Sequence, residues 1–324
     1  MKKGEGIEPI SLENVKGCSL KERPSKVGLD SMAKPWKLGG LFKEWLEALP
    51  KSLAARDLLE VAAAIKEAVT QKGAILLGMG AHPIKVGLST IIIQLIEQGV
   101  LSGIAMNGAC IIHDAELAMA GKTSEDVAAA LSDGSFGMAE ETGQFLNKAA
   151  REAVRRKWGL GKTVGALMKE EKFPYNDYSI LAKAYELEVP VTVHVAIGTD
   201  IIHCQPSMSG EAVGESSHLD FRIFCTLVSK LERGVFINLG SAVIIPEVFL
   251  KAISVARNLG YNLKDFVTVN MDFVKQYRPL TNVVHRPTME GGKGYNLVGH
   301  HEIMFPLLCA AVLELLWGEN NKGR

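Results

Sequence analysis

Gly73-Ala74-Ile75-Leu76-Leu77-Gly78-Met79-Gly80 is the stretch that decides the fold. Residues 73–77 form a short, continuous apolar run, which predicts a strand buried on both faces. Gly78-Met79-Gly80 closes it, and helical spacing over residues 86–98 predicts the helix that crosses back. The alternation then repeats. Residues 102–106, 189–195, 234–239 and 266–271 read as strands. Between them lie helical patterns over 113–120, 124–131, 139–156, 178–187, 220–231 and 246–258, and a terminal helix over 302–317. Residues 204–217 and 272–301 read as loop. Strands with continuous apolar runs, separated by helices, imply an α/β fold whose parallel sheet carries helices on both faces.

Upstream, residues 41–69 carry the apolar spacing of two helices divided by Pro50. Residues 1–40 are rich in Gly, Lys, Ser and Pro and read as an N-terminal arm, leaving 41–324 as a single α/β domain. The chain has 324 residues, 36 Lys and Arg against 36 Asp and Glu, and 47% hydrophobic residues. Zero net charge gives no footprint for nucleic acid. Five scattered cysteines without a Cys-x-x-Cys pair argue against a disulfide framework or structural zinc. No secretory signal is visible, and the apolar run 304–317 is too short to span a bilayer. The expected location is cytoplasmic.

In open α/β sheets, ligands bind past the carboxyl ends of the strands. Those positions hold Gly78 and Gly80; Asn107, Gly108 and Ala109; Gly198, Thr199 and Asp200; Gly240 and Ser241; and Asn270 and Asp272. Such residues suit backbone contact with phosphate or ribose, and they also suit short turns. Gly-x-Gly-x-x-Gly is absent. Gly159-Leu160-Gly161-Lys162-Thr163 imitates the end of a phosphate loop, but Arg156 stands where the first glycine belongs. His203, His218 and Asp220, or His113, Asp114 and Glu116, could ligate a metal for a hydrolase or lyase, though without tight ligand spacing. His194 reads as a core histidine. Cys110 and Cys204 lack an obvious base for nucleophilic work. Lys293, set among Gly291, Gly292 and Gly294 with Glu290 before it and His300-His301 after it, is either a solvated loop lysine or an amine nucleophile.

The order of motifs resembles the deoxyhypusine synthase family over roughly residues 70–317. The resemblance is carried by Leu77-Gly78, Leu95-Ile96-Glu97-Gln98, Asn107-Gly108-Ala109 with Asp114 and Glu116, Val189-Pro190-Val191, Asp220-Phe221-Arg222, Gly240-Ser241-Ala242-Val243-Ile244, Val269-Asn270-Met271, Arg286-Pro287, Glu290, Gly292-Lys293 and Phe305-Pro306-Leu307-Leu308. It implies an α/β Rossmann-like parallel sheet with helices on both faces, in a homotetramer with NAD as cofactor. It also implies transfer of an aminobutyl-type group from a small polyamine-type substrate through a Schiff base on Lys293, with Glu290 holding the amine. Such a lysine needs a lowered pKa. Asp114 joins the residues implied to contact NAD. Gly291 stands where the family has tryptophan, and Ile245-Pro246-Glu247 where it has Lys-His-His. His300, His301 and His82 are therefore the candidates for proton handling. A nucleotide-binding protein without catalysis is the remaining alternative.

Overall fold

A computed structural model describes residues 7–318. Six strands, β1 (Ile75–Met79), β2 (Gly103–Asn107), β3 (Val191–His194), β4 (Val235–Leu239), β5 (Val267–Asp272) and β6 (Lys293–Val298), form one all-parallel sheet in the order β3-β2-β1-β4-β5-β6. The order reverses between β1 and β4, which makes their carboxyl ends the topological switch point.

The longer helices are α1 (Phe42–Ala48), α2 (Leu53–Thr70), α3 (Ser89–Glu97), α4 (Gly108–Ala120), α5 (Glu140–Arg156), α6 (Leu160–Glu171), α7 (Ile180–Glu186), α8 (Gly210–Val228), α9 (Ile244–Asn258) and α10 (His301–Trp317). β1 shows why the sheet must be covered twice. Ile75, Leu77 and Met79 join the core under α2 and α10, while Leu76 points the other way onto Phe224, Phe249 and Ile253 of α8 and α9. Each such fully buried aliphatic or aromatic side chain contributes roughly 1.5–3 kcal/mol. The rings of Phe236 and Phe249 stack at 3.6 Å in the second layer. Beyond β3, helices α5 to α8 close the sheet edge.

The arm, from residue 7 to 40, is exposed along nearly its whole length. It is fastened to the end of α1 by Lys34 N–H donating to Ala48 O and by Lys51 N–H donating to Ser31 O. Among the described residues no helix is long and apolar enough to cross a membrane.

Several segments depart from the sequence reading, among them residues 160–171, read as a turn and folded as α6. The helix expected over 86–98 breaks at Gly87, whose φ of +81° is left-handed, and α3 starts at Ser89. Residues 204–217 are not all loop: Ser209 caps α8 by accepting from Ala212 N–H, so the helix begins at Gly210. Residues 272–301 contain a sixth strand, and Lys293 is its first residue.

Candidate active site

The sheet brings the carboxyl ends of β1, β4, β5 and β6 and the start of α4 to one edge. At the switch point the two turns touch. A Cβ on Gly80 would lie 2.3 Å from Gly240 O, and Gly240 itself adopts φ +65°. Both positions therefore demand glycine. Gly78 is glycine for a different reason, since its Cβ site is filled by Ile245 and the Phe236 ring. Ser241 is buried and accepts from Ile245 N–H, which starts α9.

One strand over, Asn107 caps α4 by accepting from Cys110 N–H. Gly108 and Ala109 form the first turn, and the Asp200 carboxylate packs against Gly108 so closely that a Cβ there would meet Oδ2 at 1.9 Å. Asp200 is 8% exposed, and its Oδ2 is buried without a hydrogen-bond partner. Burial raises this carboxyl to about 6. No donor among the described residues reaches this buried acceptor, which lies beside the positive end of a helix dipole. Gly198 and Thr199 lie exposed in the preceding turn, which His203 ties together by accepting from Gly198 N–H and Asp200 N–H.

On the β4–β5–β6 side, Asn238, Asn270 and Asn296 stand in register and form an amide ladder. Asn238 Nδ2 donates to Asn270 Oδ1 (2.7 Å), and Asn270 Nδ2 donates to Asn296 Oδ1 (2.8 Å). Asn270 is thus engaged within the sheet. Beyond it, His301 is 1% exposed and meets His82 Nδ1 to Nδ1 at 2.8 Å, with Asp272 Oδ1 at 3.9 Å. His300 points outward, 71% exposed, near Glu302.

Several residues singled out in the sequence lie elsewhere. Asp114 is fully buried on α4, where it accepts from Ser179 Oγ and from Ile180 and Leu181 N–H, anchoring α7 rather than facing the edge. Asp220 holds Gly161 and Val193 N–H through Oδ2 and sits over the start of α6, where the imitation phosphate loop would need an anion. His113 and Glu116 close a local network through Thr123. No group of three or more His, Cys, Asp or Glu that could hold a metal occurs among the described residues. His194 is buried against Thr192 Oγ1 and pushed down to about 3 by desolvation. The Cys110 thiol is buried, its pKa raised, and donates to Asn107 Oδ1.

Lys293 lies at the opposite end of the sheet. It pairs in register with Val267, the first residue of β5, whereas Val298 pairs with Asp272 at the carboxyl end. Five residue steps put roughly 16 Å between the two ends. The amine, 62% exposed, bonds Glu60 Oε2 on α2 at 2.5 Å and lies over the Tyr295 ring. The Glu60 carboxylate raises its pKa, the reverse of what an amine nucleophile requires. Glu290 is exposed in the loop just before it.

The fold recurs in solved proteins. The chain superposes on a candidate LOR/SDH protein from Methanococcus maripaludis S2 with a TM-score of 0.52 at 15% identity, covering 82% of this chain and 71% of that one. The match to a candidate deoxyhypusine synthase from Entamoeba histolytica has a TM-score of 0.51 at 13% identity, covering 86% and 96%. The chain has the fold of these proteins. AgrE, in a ternary complex with ornithine and NAD+, matches at a TM-score of 0.50 and 14% identity over 83% of this chain but 34% of AgrE. No protein-family model and no curated protein sequence matches. The sequence signals that led to this edge were the glycine-rich strand ends. Asn270, His82 and His301 were singled out separately, but the amide ladder and the pairing of the two histidines were missed, because the partners come from distant parts of the chain.

Proposed function

We propose that the chain is an NAD-dependent enzyme acting on a small amine, with the dinucleotide held across the carboxyl edge of the sheet at the β1/β4 switch point. The observation that carries this reading is the orphaned Asp200 Oδ2 against Gly108 at the start of α4. A ribose hydroxyl is the kind of donor it needs, and an acidic residue at a strand end serves that purpose in dinucleotide sites. The first turn of α4, at Gly108 and Ala109, presents backbone N–H groups toward a diphosphate. NAD bound there supplies a hydride acceptor. The amine class is supported by the ornithine and NAD+ bound in AgrE and by the deoxyhypusine synthase-like motif order. Assembly into a homo-oligomer belongs to the same reading, supported by the exposed apolar residues Ile7, Ile10, Leu12 and Val15 of the arm.

The test is calorimetric titration of the full chain with NAD+, followed by NADH fluorescence in the presence of ornithine and linear polyamines. Saturable NAD+ binding and NADH formation with one of these amines are expected, and absence of NAD+ binding overturns the proposal. Lys293 is outside this reaction scheme. Lys293→Ala is expected to leave NAD+ affinity and turnover unchanged and to shift stability by less than about 1 kcal/mol, as an exposed ion pair does. Loss of turnover in that variant, with borohydride trapping of amine on wild-type Lys293, would restore the Schiff-base mechanism.

A further inference from the structure

We propose that His82 Nε2 is the proton-accepting atom of the carboxyl-edge site and that His301 is the positioning residue that fixes the His82 tautomer. The inference deepens the reading above and rests on it for the location of the reaction. Its own evidence is the geometry of the pair. His82 follows β1 after two residues and His301 opens α10 after β6, so distant segments meet at Nδ1···Nδ1 2.8 Å.

The hydrogens can be assigned by elimination. His301 Nε2 lies 3.3 Å from Met271 O, and a carbonyl oxygen only accepts, so Nε2 carries the hydrogen. A neutral imidazole has one N–H, which makes His301 Nδ1 an acceptor. The 2.8 Å contact then requires His82 to donate from Nδ1. His82 Nε2 is left with its lone pair and has no partner among the described residues, and the side chain is half-buried. The pair lies over the switch point: a Cβ on Gly240 would touch His301 Cε1 at 2.8 Å. Phe273 walls both rings, with centroids 5.7 Å from His82 and 6.0 Å from His301.

Protonating His301 would destroy the arrangement, because both of its nitrogens would then donate. Burial and the neighbouring His82 hold it toward the neutral form. The Met271 carbonyl, Asp272 and Glu302 pull the other way. Lys85, in the turn that begins at His82, and His300 beside Glu302 are the other charged or titratable groups nearby.

The step assigned to His82 is deprotonation of a substrate ammonium, which must become a free amine before its carbon can release hydride. The N–H bond breaks, its electron pair stays on the substrate nitrogen, and the proton bonds to His82 Nε2. The positive charge moves from ammonium to imidazolium without net change. His82 Nδ1 continues to donate to His301 throughout, so the pair accepts the proton without rearranging.

Long-range ¹H–¹⁵N NMR of the labelled full chain, with and without NAD+, reads both tautomers directly. We expect His301 protonated at Nε2 and His82 at Nδ1. His82 protonated at Nε2 in the wild type overturns the proposal. His301→Asn retains an acceptor near the Nδ1 position, whereas His301→Phe retains the ring and removes it. The Phe variant is expected to shift His82 to the Nε2–H tautomer and to reduce kcat on the order of 10²-fold with loss of the acidic limb of the pH–kcat profile. The Asn variant is expected to keep the His82 tautomer and most of the rate. Equal losses in both variants with an unchanged His82 tautomer would reduce His301 to packing and overturn the assignment. If the wild type fails to bind NAD+, the site reading fails on that measurement, while the tautomer spectra still decide the histidine pair.

Discussion

Asp220→Ala is expected to cost on the order of 2–6 kcal/mol of folding stability at pH 5, whereas Asp220→Asn is expected to stabilise the chain at pH 8. Asp220 Oδ2 is the acceptor for Gly161 and Val193 N–H, at 2.9 Å each, and so ties the first turn of α6 to β3. Alanine removes that acceptor and leaves two buried N–H groups unpaired, each worth about 1–3 kcal/mol. Asparagine keeps one oxygen for the same two donors and removes a buried charge whose other oxygen, Oδ1, has no partner.

The pH dependence follows from burial, which raises the Asp220 carboxyl to about 7 from its ordinary 3.8. The folded chain therefore holds a proton that the unfolded chain has already released between those two values. This carboxyl's contribution to stability is most favourable below the unfolded pKa. It declines as pH rises through the window and levels off above about 7, with a slope of at most about 1.4 kcal/mol per pH unit. Asp114 and Asp200, each raised by burial to about 6, act in the same direction. Urea denaturation of wild type, Asp220→Asn and Asp220→Ala at pH 5 and pH 8 checks the result. His194, pushed down by desolvation, acts in the opposite direction, so the slope difference between wild type and Asp220→Asn is the deciding quantity; an Asn variant with the same slope as wild type would contradict the result.

The parallel sheet was legible because its central strands are uninterrupted apolar runs, and Leu76 and Leu77 can face opposite layers without changing the pattern. β6 and α6 were hidden by glycine. A Cβ on Gly294 would strike Val284 O at 2.1 Å, and one on Gly161 would strike Val191 O at 2.2 Å. Close backbone packing thus places glycine where local propensity argues against strand or helix. The same blindness shaped the reading of the site. Lys293 looked like a loop lysine or a nucleophile because a Gly-Gly-Lys-Gly run resembles a turn. Only the register with β5 reveals that it begins an edge strand, at the end away from the strand termini. Asp220 looked like a ligand because a buried aspartate and a catalytic one are the same letter. The distinction lies in Gly161 and Val193, which fold onto it from elsewhere in the chain.

Asp200→Ala is expected to weaken NAD+ binding by on the order of 10- to 100-fold, the value of a hydrogen bond to a charged acceptor. Each carboxylate has one buried oxygen without a donor among the described residues, but Asp220 also holds two backbone N–H groups through Oδ2, whereas Asp200 Oδ2 holds none. Removing Asp200 therefore breaks no internal bond to Oδ2, and the variant should fold as well as wild type or better at pH 8, where the wild-type carboxyl is charged. This separates a ligand-binding loss from a structural one. Acceptance from a ribose hydroxyl is strongest in the ionised form, so wild-type affinity should be complete above about 7 and decline as pH falls through about 6. The alanine variant should lack that component of the pH dependence. Gly108→Ala offers an independent route to the same loss, since its methyl would occupy the space of Asp200 Oδ2 and force the carboxylate away from the start of α4. Calorimetric titration with NAD+ at pH 5.5 and pH 8, with thermal denaturation of each variant as the folding control, distinguishes the outcomes. Undiminished NAD+ affinity in both Asp200→Ala and Gly108→Ala would remove Asp200 from the site and with it the observation on which the cofactor assignment stands.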